Sequence, residues 1–422
     1  MAGLIRSVEQ VQDSNEASER GRAKPSLDRS KKRDALCLNF SSIVCESLGF
    51  KSALSSQNEN HLKHVLMLLY AAEDFLNEDY DQAESHLVSV PTSGHLPIER
   101  VLTCYAKYLR ERIDAKKCRI DLERQVNRFD LEAEMRDIKD AIIACEQKLP
   151  LIQISNYAAI QTILDSLSSA EKIHFIDICR KLCSYWIVMM QALSNRKNCQ
   201  LKQLKITAVC SPVYNVAESG KLLSSIAESM NIPLVFKTLL AEKSALANVH
   251  FEPEEGEKVA VFMDHSLHWL AACTKNVEGL LRGLKRLNPH VMVAVDVEES
   301  FTTSSFGERF RGALSMSSAV VDCLESCLEG ERRCIDDTGG IGFSHHRRID
   351  FWREYFSRFG ILGTEMSEAS LCQARLMIGV RACWSSCSLG MNGKSMILCW
   401  KGIPLRFVSA WKFPIIIQKH PK

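Results

Sequence analysis

Apolar residues recur every three or four positions in the first patterned part of the chain. One such stripe consists of Val65, Leu68, Leu69, Ala72 and Leu76. A second follows the turn-forming segment 91–94 and consists of Ile98, Val101, Leu102, Tyr105 and Leu109. Each stripe predicts a helix with one buried face. Residues 118–148 are charged and helix-permissive, so an all-helical section is expected before any strand.

From residue 160 onward, short apolar runs alternate with helical stripes. The stripes predict helices around residues 160–167, 186–193, 222–230 and 277–287. The runs that predict buried strands are Ile173–Ile178, Leu204–Val209, Leu234–Leu239, Val259–Met263 and Val291–Val297. Near-continuous apolar strands that alternate with amphipathic helices indicate a mostly parallel sheet covered on both faces.

The last part of the chain departs from that alternation. Strands are predicted at Leu376–Ala382, Ser395–Trp400 and Leu405–Trp411, joined by loops that carry Asn392-Gly393 and Gly402. Asn-Gly is a strong signal for a tight hairpin turn. The predicted fold class is therefore α/β: a methyltransferase-like doubly wound, mostly parallel sheet, an antiparallel C-terminal hairpin and an N-terminal helical cap.

The polar segment 1–58 lacks a sustained period and is expected to be a variable, disordered arm. Residues 59–415 then form one domain, in which 59–150 are the helical cap and 151–415 the α/β core. Within the arm, the basic cluster Arg29–Arg33 fits either a nuclear-import signal or an ordinary solvated surface.

Composition narrows the class of protein. The 422 residues are 46% hydrophobic and 25% charged, with a formal net charge of +2, so no overall attraction to nucleic acid or to an anionic membrane is expected. No apolar run is long enough to span a membrane, and residues 1–20 do not resemble a signal peptide. The 17 cysteines are odd in number and scattered, which predicts reduced thiols rather than a disulfide framework.

A nucleotide-binding sheet needs glycine after its first strand, because only glycine lets the backbone approach a phosphate closely. The turn at residues 178–186 contains none, and the second strand ends at 207–212 without an acid for ribose hydroxyls. The sequence therefore predicts no nucleotide cofactor. Asp177 is expected to serve as a structural hydrogen-bonding group, and His174 as a packed core histidine.

Other candidate motifs lack their required context. Gly393-Lys394-Ser395 resembles part of a phosphate-binding loop, but Ser388 occupies the position of the earlier glycine and a strand follows. It is therefore predicted to be a hairpin turn. The CxxxC pairs Cys179/Cys183, Cys323/Cys327 and Cys383/Cys387 differ from the CxxC of zinc ribbons, and His345-His346 fits a basic loop. No metal site and no catalytic site are predicted.

An ordered series of short motifs carries a family resemblance. Residues 61–87 are similar to a leucine-rich region, IHFID at 173–177 is similar to the signature VHIID, and residues 222–236 are similar to a second leucine-rich region. In this order the chain resembles the plant GRAS-domain proteins over roughly residues 58–411. The positions that match the VHIID, PFYRE and SAW motifs are His174, Asp177, Trp186, Pro289, Phe310, Trp352, Trp400, Ser409, Ala410 and Trp411.

The chain also departs from the family pattern. The turn after IHFID lacks the family's glycine and acid, Met316-Ser317 replaces an aromatic pair, and the Arg-Glu element near Arg332-Arg333 is degraded. The arm carries no DELLA-type motif. The resemblance therefore indicates a divergent member and leaves the DELLA-like, scarecrow-like and symbiosis-related branches unseparated.

The resemblance implies a non-enzymatic nuclear regulator of transcription. Its expected partners are other GRAS-like proteins and DNA-binding transcription factors, contacted through the leucine-rich helices, with no membrane association. Direct DNA contact has little support because the net charge is near neutral. An alternative is a small-molecule-binding or methyltransferase-like protein that uses the sheet cleft, and a further alternative is a decayed paralogue.

Overall fold

The computed structural model describes eleven segments of the chain. They are 56–94, 96–118, 139–178, 185–197, 199–210, 216–240, 251, 253–267, 274–299, 306–328 and 347–413. The basic cluster Arg29–Arg33, the turn 179–184 and the pairs Arg332-Arg333 and His345-His346 lie outside them.

The strands β1 to β5 and the helices predicted around them occur in the predicted order. The helices are α1 (Ser56–Leu76), α2 (Tyr80–Val88), α3 (Pro97–Cys118), α4 (Lys139–Lys148), α5 (Pro150–Ser166), α6 (Tyr185–Ser194), α7 (Val216–Ser229), α8 (Thr274–Leu287), α9 (Phe306–Cys327), α10 (Ile349–Ser357) and α11 (Glu368–Ile378). The strands are β1 (Lys172–Ile178), β2 (Gln203–Cys210), β3 (Leu234–Leu240), β4 (Lys258–Asp264), β5 (Val291–Val297), β6 (Leu362–Thr364), β7 (Cys387–Asn392), β8 (Ser395–Trp400) and β9 (Ile403–Lys412).

The chain divides into two compact units. The first unit comprises Met1–Leu149, Ser300–Ser344 and Trp400–Pro404, and the second comprises Pro150–Glu299, His345–Cys399 and Leu405–Lys422. The sequence pattern places the division between cap and core at residue 150. It does not anticipate that α9 and residues 400–404 group with the N-terminal helices.

The first unit is built from helices that share a buried core. The predicted stripe on α3 is buried, as are Val65, Leu68, Leu69 and Ala72 of α1, which confirms both amphipathic helices. Tyr105 of α3 explains why α9 joins them. Its ring meets Phe310 edge-on, with centroids 5.4 Å apart, and its hydroxyl lies 3.1 Å from Ser317 Oγ.

The second unit contains most of the sheet, whose strand order is β3-β2-β1-β4-β5-β9-β8-β7. The first five of these strands are parallel, as their near-continuous apolar sequences predict. Helices α8 and α10 contribute to a core on one face. On the other face α5 packs against β5, and Tyr185 of α6 meets Phe262 of β4. The predicted doubly wound fold is therefore confirmed.

The C-terminal strands complete the sheet in antiparallel fashion, as predicted. Strand β9 pairs antiparallel with β5, with Ala294 opposite Ser409. The turn between β8 and β9 is Lys401-Gly402, whose φ angles of 47° and 82° suit a type I′ hairpin turn. Gly393, with φ 57°, begins the β7–β8 turn, so the hairpin interpretation of Gly393-Lys394-Ser395 is confirmed.

One predicted strand is wrong. Residues 376–382 belong to the end of α11 and the turn after it, with Leu376 and Val380 largely exposed. Ser367 caps the start of this helix, because its side chain accepts a hydrogen bond from the Ser370 amide. The Ser370 hydroxyl in turn donates to the Ala158 carbonyl of α5. Small residues therefore make the buried contact, and the apolar run that suggested a strand faces outward.

An aromatic cluster anchors α10 to the sheet. The rings of Phe356 and Trp411 meet edge-on, with centroids 4.9 Å apart, and Trp352 packs beside Phe356. The Trp411 indole donates a 2.9 Å hydrogen bond to Ser409 Oγ. Burial and a satisfied indole N–H together make Trp411 a central member of this core.

No helix in the described segments is long and apolar enough to cross a membrane.

We predict that Trp411→Ala lowers the free energy of unfolding by about 3–5 kcal/mol, because a buried aromatic ring leaves a cavity that neighbours fill only partly. Denaturant titration of the full chain measures this loss. Leu376→Ala, which removes a side chain that is 70% exposed, serves as the control and should change stability by no more than about 0.5 kcal/mol. Equal losses for the two variants would contradict the assignment of Trp411 to the core.

Candidate functional site

Each of three parallel strands carries a buried acid at or beside its carboxyl end. Asp177 is in β1, Asp264 ends β4 and Asp296 precedes the last residue of β5. Parallel α/β sheets bind ligands beyond this edge, so a ligand site of this protein would be expected here. Such a site requires carboxylates that are not already hydrogen-bonded to protein groups.

The Asp177 carboxylate is held by α6. Its Oδ2 accepts hydrogen bonds from the Tyr185 hydroxyl at 2.8 Å and from the Trp186 indole N–H at 2.6 Å. Burial raises the pKa of Asp177 to about 8, the two hydrogen bonds oppose the rise, and Asp264 adds to it. Asp177 is therefore largely a neutral acid below that pH, and it joins strand to helix.

The other two acids of this edge are bound to neighbouring strands and loops. Asp264 Oδ1 accepts a 2.8 Å hydrogen bond from Arg406 of β9. Asp296 Oδ1 accepts one from the amide of Val297 at 2.7 Å and lies 3.3 Å from His265 Nδ1. His265 adopts a φ of 55°, a left-handed conformation that is uncommon for a residue with a side chain. Its amide donates to the Val295 carbonyl.

A fourth buried acid caps α10 from a distance in sequence. Glu298 Oε2 accepts a 3.0 Å hydrogen bond from the Ile349 amide at the start of that helix, and Arg348 Nε lies 3.7 Å from Glu298 Oε1. Burial raises the pKa of Glu298 to about 7, against the opposing effects of the Ile349 amide and Arg348. Arg348 stands at the N-cap without a side-chain cap of its own, so Glu298 supplies the missing acceptor.

The opposite end of β1 and β2 holds a buried charged network. Lys205 Nζ lies 3.0 Å from Glu257 Oε1 and 3.0 Å from Glu254 Oε1, and the Lys205 and Glu257 side chains are almost fully buried. His174 pairs with Lys205 across the strands, and its Nε2 lies 2.8 Å from Thr207 Oγ1. Burial lowers the pKa of His174 to about 4, and the Lys205 charge adds to the effect. The prediction of a packed, hydrogen-bonded histidine is confirmed.

The remaining motif positions fall into both units. In the second unit Trp352, Ser409, Ala410 and Trp411 belong to the sheet and the aromatic core beside it, and Pro289 is buried between α8 and β5. In the first unit Phe310 packs on Tyr105, and the Trp400 indole donates a 2.6 Å hydrogen bond to Asp322 Oδ2. Lys401 also pairs with that carboxylate. Each motif residue therefore has a packing or hydrogen-bonding role.

The described residues contain no group of three or more His, Cys, Asp or Glu side chains placed to hold a metal ion. Of the cysteine pairs, Cys323 and Cys327 lie on α9, whereas Cys383 and Cys387 lie in a 3₁₀ turn and at the start of β7. Of these two pairs, only the first therefore lies on an α-helix. The pair Cys179/Cys183 lies outside the described residues.

Sequence reasoning did not identify Lys205, Glu257, Glu298 or Arg406. A signal was present for two of them, because Lys205 and Arg406 each interrupt an otherwise apolar strand. A cation inside a strand that is buried on both faces requires a buried acid nearby. The acids themselves lie in loops or just beyond a strand, where carboxylates are common and give no signal.

Comparison with known proteins gives a family. The model of the GRAS domain family matches residues 64–412. Scarecrow-like protein 23 of Arabidopsis thaliana is 26% identical over 372 residues, which cover 82% of this chain and 89% of that protein. DELLA protein RGL1 of the same plant is 24% identical over 280 residues, which cover 63% of this chain but 55% of its own length. Only about half of that second relative is therefore matched.

A solved structure agrees on the fold. The crystal structure of SCL7 from Oryza sativa superposes with a TM-score of 0.68 and 22% identity, and covers 83% of this chain and 99% of that one. Similarity at this identity establishes the architecture, including the parallel sheet and its antiparallel C-terminal strands. Scarecrow-like and DELLA relatives match at similar identities. The short motifs of the sequence likewise do not assign the chain to one branch of the family.

We predict that Lys205→Met destabilises the fold by about 3–5 kcal/mol, because it leaves the Glu257 carboxylate buried without its cation. Lys202→Met is the matched control. Its side chain is 61% exposed and its ammonium pairs with the exposed Glu171, so the change should cost less than about 1 kcal/mol. Adding Glu257→Gln to Lys205→Met should recover part of the loss in a double-mutant cycle. No recovery would contradict a direct pair.

A second prediction concerns pH. The pKa of Asp177 is about 8 in the folded chain against an ordinary 3.8, so between these values the native state keeps a proton that the unfolded chain releases. This contribution to stability therefore falls as pH rises from about 4 to about 8, by at most about 1.4 kcal/mol per pH unit.

The comparison variant is Asp177→Asn, which retains an oxygen acceptor for Tyr185 and Trp186 and cannot ionise. The unfolding free energies of both chains are measured at several pH values. As pH rises, the parent should lose stability relative to the variant. A difference that stays constant with pH would mean that Asp177 is already ionised in the folded chain.

Proposed function

The chain belongs to the GRAS domain family, and on that premise we propose that it is a nuclear regulator of transcription that acts by binding other proteins. The observation that carries the proposal is the extent of the match, from the first leucine-rich helix at residue 64 to the end of β9 at residue 412. Its partners under this proposal are other GRAS-like proteins and DNA-binding transcription factors.

The geometry of the sheet supports a non-enzymatic role. At the edge where such folds place a ligand, Asp177, Asp264 and Asp296 are hydrogen-bonded to Tyr185, Trp186, Arg406 and the Val297 amide. These carboxylates connect strands to helices and to each other. They are thereby committed to the fold rather than to a substrate.

The leucine-rich helices contribute mainly to the core. The apolar stripe of α3 is buried in full, and in α7 Leu223 is buried whereas Leu222 is 56% exposed. Val88 at the end of α2 is also exposed. A contact surface on these helices therefore rests on a few exposed apolar side chains and on the polar residues around them.

One observation favours the alternative of a small-molecule-binding or methyltransferase-like protein. The Asp177 Oδ1 atom is buried and has no hydrogen-bond partner among the described residues, and it lies at the sheet edge that binds ligands in this fold class. A ligand donor could satisfy this atom. The protonated state favoured by the raised pKa of Asp177 offers a simpler account, because a neutral acid tolerates burial better than a carboxylate does.

We predict that tagged full-length chain expressed in plant cells is recovered mainly from nuclei, together with at least one DNA-binding transcription factor identified by mass spectrometry. Tag alone provides the background. Recruitment to a reporter promoter through a fused DNA-binding domain should change reporter expression. A wholly cytoplasmic chain that recovers no transcription factor would overturn the proposal.

Calorimetry with S-adenosylmethionine separates the alternative from the proposal. We expect no heat of binding at micromolar concentrations of protein and ligand. Micromolar affinity that is lost in Asp177→Asn would favour a ligand-binding role for the sheet edge, because that variant keeps the internal hydrogen bonds to Tyr185 and Trp186.

A further inference from the structure

Helix α10 has two different aromatic faces. Its inner face places Trp352 and Phe356 in the core beneath it. On its outer face Phe351 is 39% exposed, and its ring stacks on Tyr355 with centroids 5.9 Å apart and planes 17° from parallel. Tyr355 is partly buried against the core and its hydroxyl oxygen is buried, so the pair presents mainly the Phe351 ring at the surface. An exposed aromatic ring beside arginines is typical of contact surfaces.

Cations flank these rings. The Arg347 guanidinium lies 5.4 Å from the centre of the Phe351 ring, and that of Arg358 lies 6.0 Å from the centre of the Tyr355 ring. Helix α8 runs beside α10, since Lys285 Nζ donates a 3.0 Å hydrogen bond to the Phe359 carbonyl. We call the surface that these side chains form the α10 face. It consists of Arg282, Lys285, Arg286, Arg347, Phe351, Tyr355 and Arg358.

The α10 face carries an excess of positive charge. It contains five Arg or Lys residues, and the three acids Glu278, Asp350 and Glu354 lie beside them. Arg282 pairs with Glu278 and Arg358 with Glu354, both between largely exposed groups. Such exposed pairs are weak and easily exchanged for another carboxylate. By contrast, no acid of the described segments forms an ion pair with Arg347, Lys285 or Arg286.

We propose that the α10 face binds an acidic amphipathic segment of a partner protein. Carboxylates of that segment would accept two parallel hydrogen bonds from the guanidinium of Arg347 or Arg358 in bidentate pairs. Its apolar side chains would cover Phe351 and Tyr355. Helix α10 is nine residues long, or about 13 Å at 1.5 Å per residue, which fits two to three turns of a partner helix. The inference names a partner surface for the protein-binding role proposed above and rests on that role.

A protein segment fits this face better than nucleic acid does. Glu278, Asp350 and Glu354 lie among the cations and would repel a continuous phosphate backbone. A peptide can instead place its carboxylates next to the guanidinium groups and its apolar residues elsewhere. The formal net charge of +2 also provides no long-range attraction to a polyanion.

The test is fluorescence anisotropy with the full-length chain and a labelled peptide in which Asp and Glu alternate with Leu and Phe. The matched peptide has Asn and Gln in place of the acids and should bind at least about tenfold more weakly, which is about 1.4 kcal/mol. Phe351→Ala and the double variant Arg347→Glu/Arg358→Glu should each weaken binding of the acidic peptide by about tenfold or more. The milder Arg347→Gln/Arg358→Gln variant provides the same comparison if charge reversal prevents folding.

Arg375→Glu is the control, because Arg375 is an exposed arginine of α11 outside the α10 face. It should leave peptide affinity within about twofold of the parent. Acidic-peptide affinity that none of the α10-face variants changes would overturn the inference, and so would tighter binding of a DNA duplex by the same face. If the peptide result is negative while nuclear transcription factors still co-purify, this inference alone fails. Loss of both would remove the proposed function as well.

Discussion

The fold depends on how β1 and β2 satisfy polar groups inside a sheet that is buried on both faces. An ionised group in such a position is costly unless it is paired and hydrogen-bonded. The two strands meet this requirement at both ends. Lys205, Glu257 and His174 form one network, and Asp177 binds Tyr185 and Trp186 of α6 at the other end. The histidine and the aspartate of the IHFID motif therefore act toward opposite ends of the same strand.

This arrangement gives the family signature a physical meaning that does not involve a ligand. His174 connects β1 to β2 through Thr207 and approaches the loop acid Glu257. Asp177 connects β1 to α6. The motif then specifies the register of the central strands and the attachment of one helix, both of which any protein of this architecture needs regardless of its partners.

Much of the fold was predictable, because burial on both faces produces long apolar runs that mark strands, and burial on one face produces helical stripes. Strands β5 and β8 coincide with their predicted bounds. The apolar run at residues 376–382 failed as a strand because α11 buries its small residues, Ser370 and Ala374, and exposes Leu376. Local sequence cannot show which side of a helix faces the protein when small side chains make the contact.

The site was less predictable for a different reason. Asp177 and His174 stand inside a recognisable motif, but their partners come from loops and strands far along the chain. Arg406 reaches Asp264 across 142 positions, and Glu298 caps a helix that begins 51 residues later. Pairings at that separation depend on the topology of the finished sheet, which one sequence specifies only indirectly.

The division of the chain into units limits how the gene can be rearranged during evolution. The backbone passes from one unit to the other after residues 149, 299, 344, 399 and 404. Neither unit is thus encoded by one uninterrupted stretch of gene. A premature stop codon or an exon exchange at most positions removes pieces of both units together. Such a protein can be duplicated or lost as a whole and can diverge residue by residue, but its two halves cannot easily be shuffled into new combinations.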